Sequence, residues 1–206
     1  MTKVNCLRII TLLFVSSLSQ GLSAQSSYVK QLQHERDSVN HVFADPESSI
    51  LTPEALEHFE GLSYYPIDVN FRVKATFKKL KRQKSFQMIT STDRLPTYVA
   101  YGRLEFKIDG EKQCLTVYQN LDLIKNMDYA DYLFIPFLDA TSGLETYGAG
   151  RYMDITIGEL EDEPVVDFNT CYNPYCAYND RYSCPVPPSA NHLSVEIRAG
   201  VKYLAH

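Results

Sequence analysis

The stretch that most constrains the fold of this chain runs from Asp167 to Pro188. It combines three cysteines, four tyrosines and four prolines. Proline fixes φ and removes a backbone donor, and the stretch shows neither a strand period nor a helix period. Its aromatic and cysteine content is too high for disorder. The sequence therefore predicts a long ordered loop, which is either a pinned connection at one end of a β-structure or a functional loop.

The first residues have the layout of a secretory signal peptide. Two basic side chains precede an apolar run from Ile9 to Val15, and small residues ending in Ala24 follow. The run is too short to span a bilayer, and no second run of membrane length follows. We predict a signal peptide over residues 1–24, and a mature protein that is exported to the periplasm or the extracellular space without a membrane span. Residues 25–206 suit a single β-rich domain.

The net charge of the mature chain bears on its binding partners, and its cysteine count bears on disulfide formation. Without Lys3 and Arg8 of the predicted signal peptide, 18 basic residues face 25 acidic ones, and the net charge is −7. This balance argues against nucleic acid as a partner. An even number of cysteines in an oxidising compartment favours disulfides, and three pairings are possible. The four cysteines of the mature chain are Cys114, Cys171, Cys176 and Cys184.

Two helices are predicted near the N-terminus. Residues 28–43 carry apolar side chains at helical spacing, with charged residues on the other faces. A second, short helix is predicted to begin at Thr52, whose hydroxyl suits an N-cap, with Pro53 in its first turn and Gly61 at its end.

From Val69 onward the apolar period changes to two, which predicts strands. Asp109-Gly110 is typical of a tight hairpin turn between two of them, and Pro136 indicates an edge or a bulge. Short strands at regular spacing, without alternating helices, predict a mainly β fold: an antiparallel β-sandwich or barrel with two N-terminal helices. The predicted strands are 69–77, 86–89, 97–108, 113–118, 133–138, 152–157, 164–168 and 193–197.

A second unusual segment, residues 139–151, places polar residues and three glycines between two predicted strands. The glycines allow close approach of the backbone to another group. Its charged side chains either bind a polar ligand or pair with one another, and we expect Arg151 to be largely buried with at least one carboxylate partner. Together with the Asp167–Pro188 loop, this segment supplies the candidate ligand-binding residues. They are Asp139, Glu145, Tyr147, Arg151, Asp167 and Asn169.

Catalytic and metal signatures are weak. No Gly-x-Ser-x-Gly elbow, His-Glu-x-x-His helix or P-loop is present in the sequence. No cofactor is expected, and the alternative is a zinc site, although its spacings are wider than those of short zinc knuckles. The four residues of that alternative are Cys171, Cys176, Cys184 and His192. Carboxylate pairs such as Asp154 and Asp167 are candidates for acid–base chemistry.

Most of the mature chain resembles a bacterial family known only as domain of unknown function 1684, and this resemblance implies no activity. The matching segments are 90–92, 101–106, 136–143, 145–152, 167–169, 172–174, 176–178, Cys184-Pro185, Pro187-Pro188, Asn191, Leu193 and Ala199-Gly200.

The resemblance also bears on the cysteines. The family pattern has a small residue where this chain has Cys171, and an acidic residue where it has Val201. This implies that Cys176 and Cys184 are the core pair, and that Cys171 is an addition with Cys114 as its available partner. Family members without signal peptides also carry the core pair, which keeps a thiol or metal role open.

Three functions compete. The first is a non-catalytic domain that binds a small polar ligand at loops 139–151 and 167–188. The second is a structural envelope protein whose loops only support the fold. The third is a hydrolase-type enzyme that uses carboxylates of the same loops.

Overall fold

The computed structural model describes the backbone of residues 5–203 and the side chains of residues 25–203. The chain divides into two compact units, Met1–Val42 and Phe43–His206. The first unit is helical, and its helix α1 (Asn5–Ala44) contains the predicted helix 28–43. Side chains of the predicted signal peptide lie outside the described residues, so that assignment stays a prediction, as does the single domain over 25–206. Within the described part of the chain, no helix is both long and apolar enough to cross a membrane.

The second unit begins with the short helix α2 (Pro53–Glu57) and carries every described strand. The hydroxyl of Thr52 accepts the backbone N–H of Ala55 at 3.2 Å, as the N-cap prediction requires. The helix stops at the His58 C-cap, three residues before the predicted end at Gly61.

Two antiparallel sheets form the body of this unit. The small sheet pairs β1 with β8, and the large sheet has the order β2-β4-β5-β6-β7, with β3 also paired to β4. The fold is therefore mainly β and sandwich-like, as predicted, and the described strands leave the large sheet open instead of closing a barrel. The strands are β1 (Arg72–Lys74), β2 (Thr76–Lys79), β3 (Phe86–Gln87), β4 (Thr97–Ile108), β5 (Glu111–Asn120), β6 (Tyr132–Phe137), β7 (Arg151–Thr156) and β8 (Val165–Asp167).

The main core lies on one face of the large sheet, against the small sheet. Alternate residues of β4 point into it, as the period of two predicts. Phe168, at the end of β8, packs on Phe106 and Phe137 with ring centroids 5.7 and 5.5 Å apart. Burying side chains of this size stabilises the fold by roughly 1.5–3 kcal/mol each. The core members from the large sheet include Leu104, Phe106, Leu115, Val117, Leu133, Ile135, Phe137, Met153 and Ile155.

The β4–β5 hairpin confirms the predicted Asp109-Gly110 turn. The two residues have φ angles of 49° and 84°. Two consecutive left-handed residues match the right-handed twist of the flanking strands, which explains why Asp and Gly occupy these positions.

β5 and β6 meet only at Tyr118 and Phe134, and a side chain bridges them beyond that point. The Asn191 amide is fully buried; its Nδ2 donates to Thr116 O at 2.9 Å and Pro136 O at 2.8 Å. Its Oδ1 accepts the Thr116 N–H at 2.7 Å. The Asn191 amide thus takes the place of backbone hydrogen bonds between β5 and β6. Pro136, which has no N–H to donate, is tolerated at this position because β5 does not pair with it.

The prediction of a strand over residues 193–197 is wrong, because side chains occupy backbone groups that a neighbouring strand would bind. The segment is irregular, although Leu193 and Ala140 make backbone hydrogen bonds across to Leu138 and Val195. The Ile197 N–H and C=O bind the side chains of Asp139 and Arg151 instead of a neighbouring strand.

The other face of the large sheet carries a second cluster that is rich in aromatic rings. The Asp167–Pro188 loop is ordered, as predicted, with two short 3-10 turns, Phe168–Thr170 and Tyr175–Ala177. Residues of this loop pack on the second cluster. Its buried members are Met88, Tyr98, Tyr118, Phe134, Tyr152 and Cys184.

Candidate functional site

Arg151 begins β7 and is fully buried. Its Nη2 donates to Asp139 Oδ1 at 3.0 Å and to Ile197 O at 2.8 Å. Its Nη1 donates to Ala199 O at 2.6 Å and to Val201 O at 3.2 Å. The predicted burial and carboxylate partner of Arg151 are confirmed, and the guanidinium ties the C-terminal segment to β7.

Asp139 completes this clamp from the other side. Its Oδ2 accepts the backbone N–H and the hydroxyl of Thr141, at 3.1 and 2.8 Å, and the Ile197 N–H at 2.8 Å. Both side chains of the Arg151–Asp139 pair have 0 % exposure. Apart from Arg151 Nε, which is buried without a hydrogen-bond partner, the polar atoms of the two side chains bind each other, backbone groups and neighbouring hydroxyls, so the clamp is a structural support.

Glycine makes the approach to this clamp possible. Gly150 has a φ of 94°, and a Cβ there would lie 2.5 Å from the carbonyl oxygen of Phe137. Any side chain would clash with that backbone as well as strain the left-handed φ. The close approach predicted for the glycines of segment 139–151 thus serves the contact between β6 and β7.

Glu145 lies apart from the clamp and retains solvent exposure. It accepts hydrogen bonds from Arg198 at 2.9 Å and from the Tyr65 hydroxyl at 2.9 Å. The hydrogen bond from Arg198, followed by that from Tyr65, lowers the pKa of Glu145. Burial and the bond to Glu145 raise the pKa of Tyr65 to about 12. This arrangement favours an ionised Glu145 at neutral pH.

Asp167 and Asn169 join two chain segments at the end of β8. The buried Asn169 accepts the Asp68 N–H at 2.9 Å and donates to Asp68 O at 2.8 Å, which reproduces a strand pairing. Asp167 accepts from the Asn169 side chain at 3.1 Å and pairs with Arg72 at 3.4 Å. Both residues have local structural partners.

Tyr147 stands next to the thiols of the Asp167–Pro188 loop. Its ring packs edge-on against Tyr203 with centroids 5.0 Å apart. Burial, and then the charge and hydrogen bond of Cys176, raise the pKa of Tyr147 to about 12. Of the six predicted ligand residues, the structure brings Asp139 together with Arg151 and Asp167 together with Asn169, and it leaves Glu145 and Tyr147 with other partners.

The four described cysteines are all free. Cys176 and Cys184 are neighbours, since the Cys176 N–H donates to Cys184 Sγ at 3.2 Å. Hydrogen bonds from the Cys184 thiol, Ser91 and Tyr147 lower the pKa of Cys176. The structure thus brings the preferred pair together as thiols and not as the predicted disulfide.

Cys171 and Cys114 are not bonded to one another. Cys171 is buried and its Sγ donates to Ala199 O at 3.5 Å, whereas Cys114 lies on β5 opposite Glu105. Burial raises the pKa of the Cys114 thiol.

The suggested zinc ligands are not assembled as a set. His192 Nε2 lies 3.2 Å from Pro187 O, and Cys171 is engaged with Ala199. Among residues 25–203, no three Cys, His, Asp or Glu side chains are grouped in a way that would hold a metal ion.

A broad, open cavity of about 810 Å³ lies over β4 and β5. Its charged lining is mainly basic, because Lys74, Arg103, Lys107 and Lys112 face the single acid Glu105, and it also contains Cys114. None of the six predicted ligand residues lines it, and its excess of basic side chains favours an anion.

A polar cluster that the sequence did not predict lies at the edge of the aromatic face. We call Asp154, Tyr132 and Tyr172 the Asp154 cluster. The hydroxyls of Tyr132 and Tyr172 both donate to Asp154 Oδ1, at 2.7 and 2.8 Å. Asp154 Oδ2 makes no hydrogen bond to any residue that the structure describes. The carboxylate therefore has one saturated and one available oxygen.

Strand pairing assembles this cluster. Phe134 on β6 is the direct cross-strand neighbour of Asp154 on β7. Tyr172 forms a backbone bridge with Tyr152 of β7. Tyr132 precedes Phe134 by two residues on β6 and therefore lies on the same face of the sheet. Cross-strand neighbours on one face lie within side-chain reach, so Tyr132 and Tyr172 meet at the Asp154 carboxylate.

Asp154 is exposed to solvent and yet desolvated by its surroundings. Desolvation raises the pKa of Asp154, and the two tyrosine hydrogen bonds only partly oppose it. Burial and the Asp154 charge raise the pKa of Tyr172 and of Tyr132 well above the ordinary tyrosine value.

The sequence contained one signal for this cluster. Tyr152 and Asp154 share a face of β7 by the period of two, so an acid on an otherwise aromatic face was visible. Its partners were not, because Tyr132 and Tyr172 come from a neighbouring strand and an irregular loop. The suggested pairing of Asp154 with Asp167 is not formed; the two carboxylates have different hydrogen-bond partners.

Fold and site together define a mainly β, sandwich-like domain with a buried arginine–carboxylate clamp and an open carboxylate ringed by tyrosines. The chain belongs to the family described as protein of unknown function (DUF1684), whose model matches residues 57–202. This confirms the resemblance noted in the sequence.

A solved relative has the same fold. The chain is similar to the uncharacterized protein from gene locus rrnAC0354 of Haloarcula marismortui, whose solution NMR structure superposes with a TM-score of 0.67. The two sequences are 34% identical, and the match covers 88% of this chain and 97% of that one. No curated protein matches this chain.

Proposed function

We propose that this protein is exported and binds a small polar ligand at the Asp154 cluster, next to the Asp167–Pro188 loop. One observation carries the proposal: the exposed Asp154 carboxylate accepts two tyrosine hydroxyls on one oxygen and has neither a charged partner nor a hydrogen bond to its other oxygen among the described residues. Binding sites combine an apolar, aromatic lining with a few polar groups that fix orientation. Two tyrosine hydroxyls hold this carboxylate in one orientation.

The proposal revises which loop residues contact the ligand. Asp139 and Arg151 are enclosed and support the loops from behind. Glu145 and Tyr147 remain partly accessible and stay candidates for an outer contact. Asp167 and Asn169 hold the start of the Asp167–Pro188 loop in place.

A stability argument supports a functional role for Asp154. A carboxyl group whose pKa is raised in the folded protein reduces stability as the pH rises through that pKa, because the unfolded chain ionises more easily. At neutral pH, Asp154→Asn should therefore leave the midpoint of thermal unfolding unchanged or higher. A higher midpoint in Asp154→Asn would show that this carboxylate costs stability, as functional groups commonly do.

The binding test uses amide chemical shifts of the intact protein. A pool of small polar metabolites should shift the amide signals around residues 132, 154 and 172, and Asp154→Asn should abolish those shifts. Asp162→Asn, an exposed acid in a turn, is the matched control and should bind as the unchanged protein does. Signals that never move in any pool, with both variants folded, contradict ligand binding.

The structural alternative is favoured by the Arg151–Asp139 clamp, which shows that segment 139–151 supports the fold. It predicts that Asp154→Asn changes neither stability nor any binding signal. The hydrolase alternative places its base at Asp154, and turnover of a bound compound in the same metabolite pools would favour it.

Export is the second part of the proposal and is tested by mass. The intact mass of the protein from its native cell should correspond to a chain that begins at Gln25. A full-length species that starts at Met1 and stays in the cytoplasm contradicts export without bearing on the Asp154 cluster.

A further inference from the structure

The Asp154 cluster is an anion without a balancing cation. Asp154 takes part in no ion pair within the described chain, and only desolvation and the two tyrosine hydroxyls perturb it. By contrast, five other described carboxylates form ion pairs with an Arg or Lys that is distant in the chain. They are Glu105, Asp139, Glu145, Glu163 and Asp167. A desolvated carboxylate favours a positive partner far more than a neutral one, because the low local dielectric strengthens the interaction.

The side chains near this carboxylate are aromatic; Phe134 and Tyr152 are buried beneath it, and Tyr132 and Tyr172 are partly exposed. Phe134 and Tyr152 pack edge-to-face with centroids 4.7 Å apart, and Tyr152 and Tyr172 do so at 5.9 Å. Tyr129, which is partly exposed, packs edge-on against Tyr132 at 6.1 Å. Aromatic faces attract organic cations through the ring quadrupole, and desolvated sites give the stronger effect.

The same geometry argues against the other polar classes. An anionic ligand would meet an uncompensated carboxylate, and repulsion excludes it. A bare metal ion would find a single free carboxylate oxygen, since no group of three metal-ligating side chains exists among residues 25–203. An ammonium group with alkyl substituents needs only one carboxylate and several ring faces.

We propose that the Asp154 cluster binds an organic cation of the alkylammonium class, with the charge held by Asp154 Oδ2 and the alkyl groups against the partly exposed Tyr132 and Tyr172. The inference rests on the proposed ligand-binding function and gives its chemical class. The tyrosine hydroxyls position the carboxylate, and the rings supply the selectivity for a cation over a neutral molecule of equal shape.

The test compares two probes of nearly identical shape, choline and its neutral isostere 3,3-dimethylbutan-1-ol. Each is titrated into the intact protein at low ionic strength, and amide shifts around residues 132, 154 and 172 are followed. We expect saturable binding of choline at least about tenfold tighter than binding of the neutral isostere, as one cation–π and charge contact provides. Equal binding of both probes overturns the cation assignment and leaves the ligand site intact.

Variants separate charge from shape. Asp154→Asn keeps the shape of the carboxyl group and should reduce choline affinity by about tenfold or more, while Asp162→Asn should not change it. Tyr172→Phe keeps the ring and removes one donor, so choline should still bind in preference to the isostere. Absence of choline binding, in a protein whose metabolite pools do shift the Asp154 signals, overturns the inference alone. Absence of any response to choline and to all pools overturns the proposed function as well.

Discussion

Replacement of Arg151 by lysine measures how much the forked hydrogen bonds of the guanidinium group contribute to the free energy of unfolding. The native side chain uses four N–H groups on two nitrogens, and they reach one carboxylate and the carbonyl oxygens of Ile197, Ala199 and Val201. A lysine ammonium keeps the charge but donates from one atom, so it cannot reach both sets of acceptors. At least two acceptors are left without a partner in the interior.

The magnitude follows from burial. A hydrogen bond that involves a charged group contributes roughly 1.5–3 kcal/mol, and breaking a buried ion pair costs about 3–5 kcal/mol. Asp139 keeps a charged partner in Arg151→Lys, so the loss comes from the hydrogen bonds that lysine cannot make. For at least two such bonds we expect a decrease of about 3–5 kcal/mol in the free energy of unfolding. For a domain of this size, each kcal/mol lowers the unfolding midpoint by roughly 2–4 °C, so the midpoint should fall by about 6–20 °C.

Urea unfolding followed by far-ultraviolet circular dichroism measures the loss. Arg103→Lys, on the exposed face of β4, is the control and should change the free energy of unfolding by less than about 0.5 kcal/mol. Binding at the Asp154 cluster should survive in Arg151→Lys under conditions where the variant is folded. A variant as stable as the control would refute the clamp as a structural support.

Three further predictions test other parts of the structure. Asn191→Ala leaves three buried backbone groups unpaired and should cost about 3–5 kcal/mol of unfolding free energy, while Asn70→Ala on the surface should cost far less; equal losses would contradict the bridging role. Because Cys176 and Cys184 are free thiols in the structure, peptide mapping without reduction should find both alkylated, and a linked Cys176–Cys184 peptide would contradict this. The lowered pKa of Glu145 means that its carboxylate stabilises the fold at neutral pH, and that this effect is lost as the pH falls through the folded pKa. The unfolding midpoints of the unchanged protein and of Glu145→Gln should therefore differ at about pH 7 and converge in acid. A difference that is independent of pH would assign the effect to packing.

Local signals in the sequence were enough to predict much of the fold. The β4–β5 hairpin follows from alternation and from one Asp-Gly turn, and the burial of Arg151 follows from its place beside glycines at a strand start. The errors are at positions where a side chain replaces backbone pairing. Residues 193–197 have a strand-like pattern, yet Asp139 and Arg151 occupy the hydrogen-bonding groups of Ile197.

The Asp154 cluster was out of reach for the same kind of reason. Its members come from β6, β7 and an irregular loop, and their meeting depends on the register of Phe134 with Asp154 and on the bridge at Tyr172. Neither register nor bridge is encoded within a few residues. Asp139, Glu145 and Arg151 were predicted as site residues because they are charged and close together in the chain. Asp154, in contrast, has mainly aromatic neighbours, and these come from other parts of the chain.

The dependence of the sheet on Asn191 and of β7 on residues 197–201 has a consequence for how the protein matures. The amide that joins β5 to β6 and the carbonyls that occupy Arg151 belong to the last part of the chain. A growing polypeptide cannot complete its interior before translation is nearly finished, since these contacts span 46–75 residues of sequence. Such a chain therefore lacks its complete core until its last residues are available. Molecules truncated before residue 191 should lack cooperative unfolding, and a truncated chain that melts in one sharp transition would contradict this order of events.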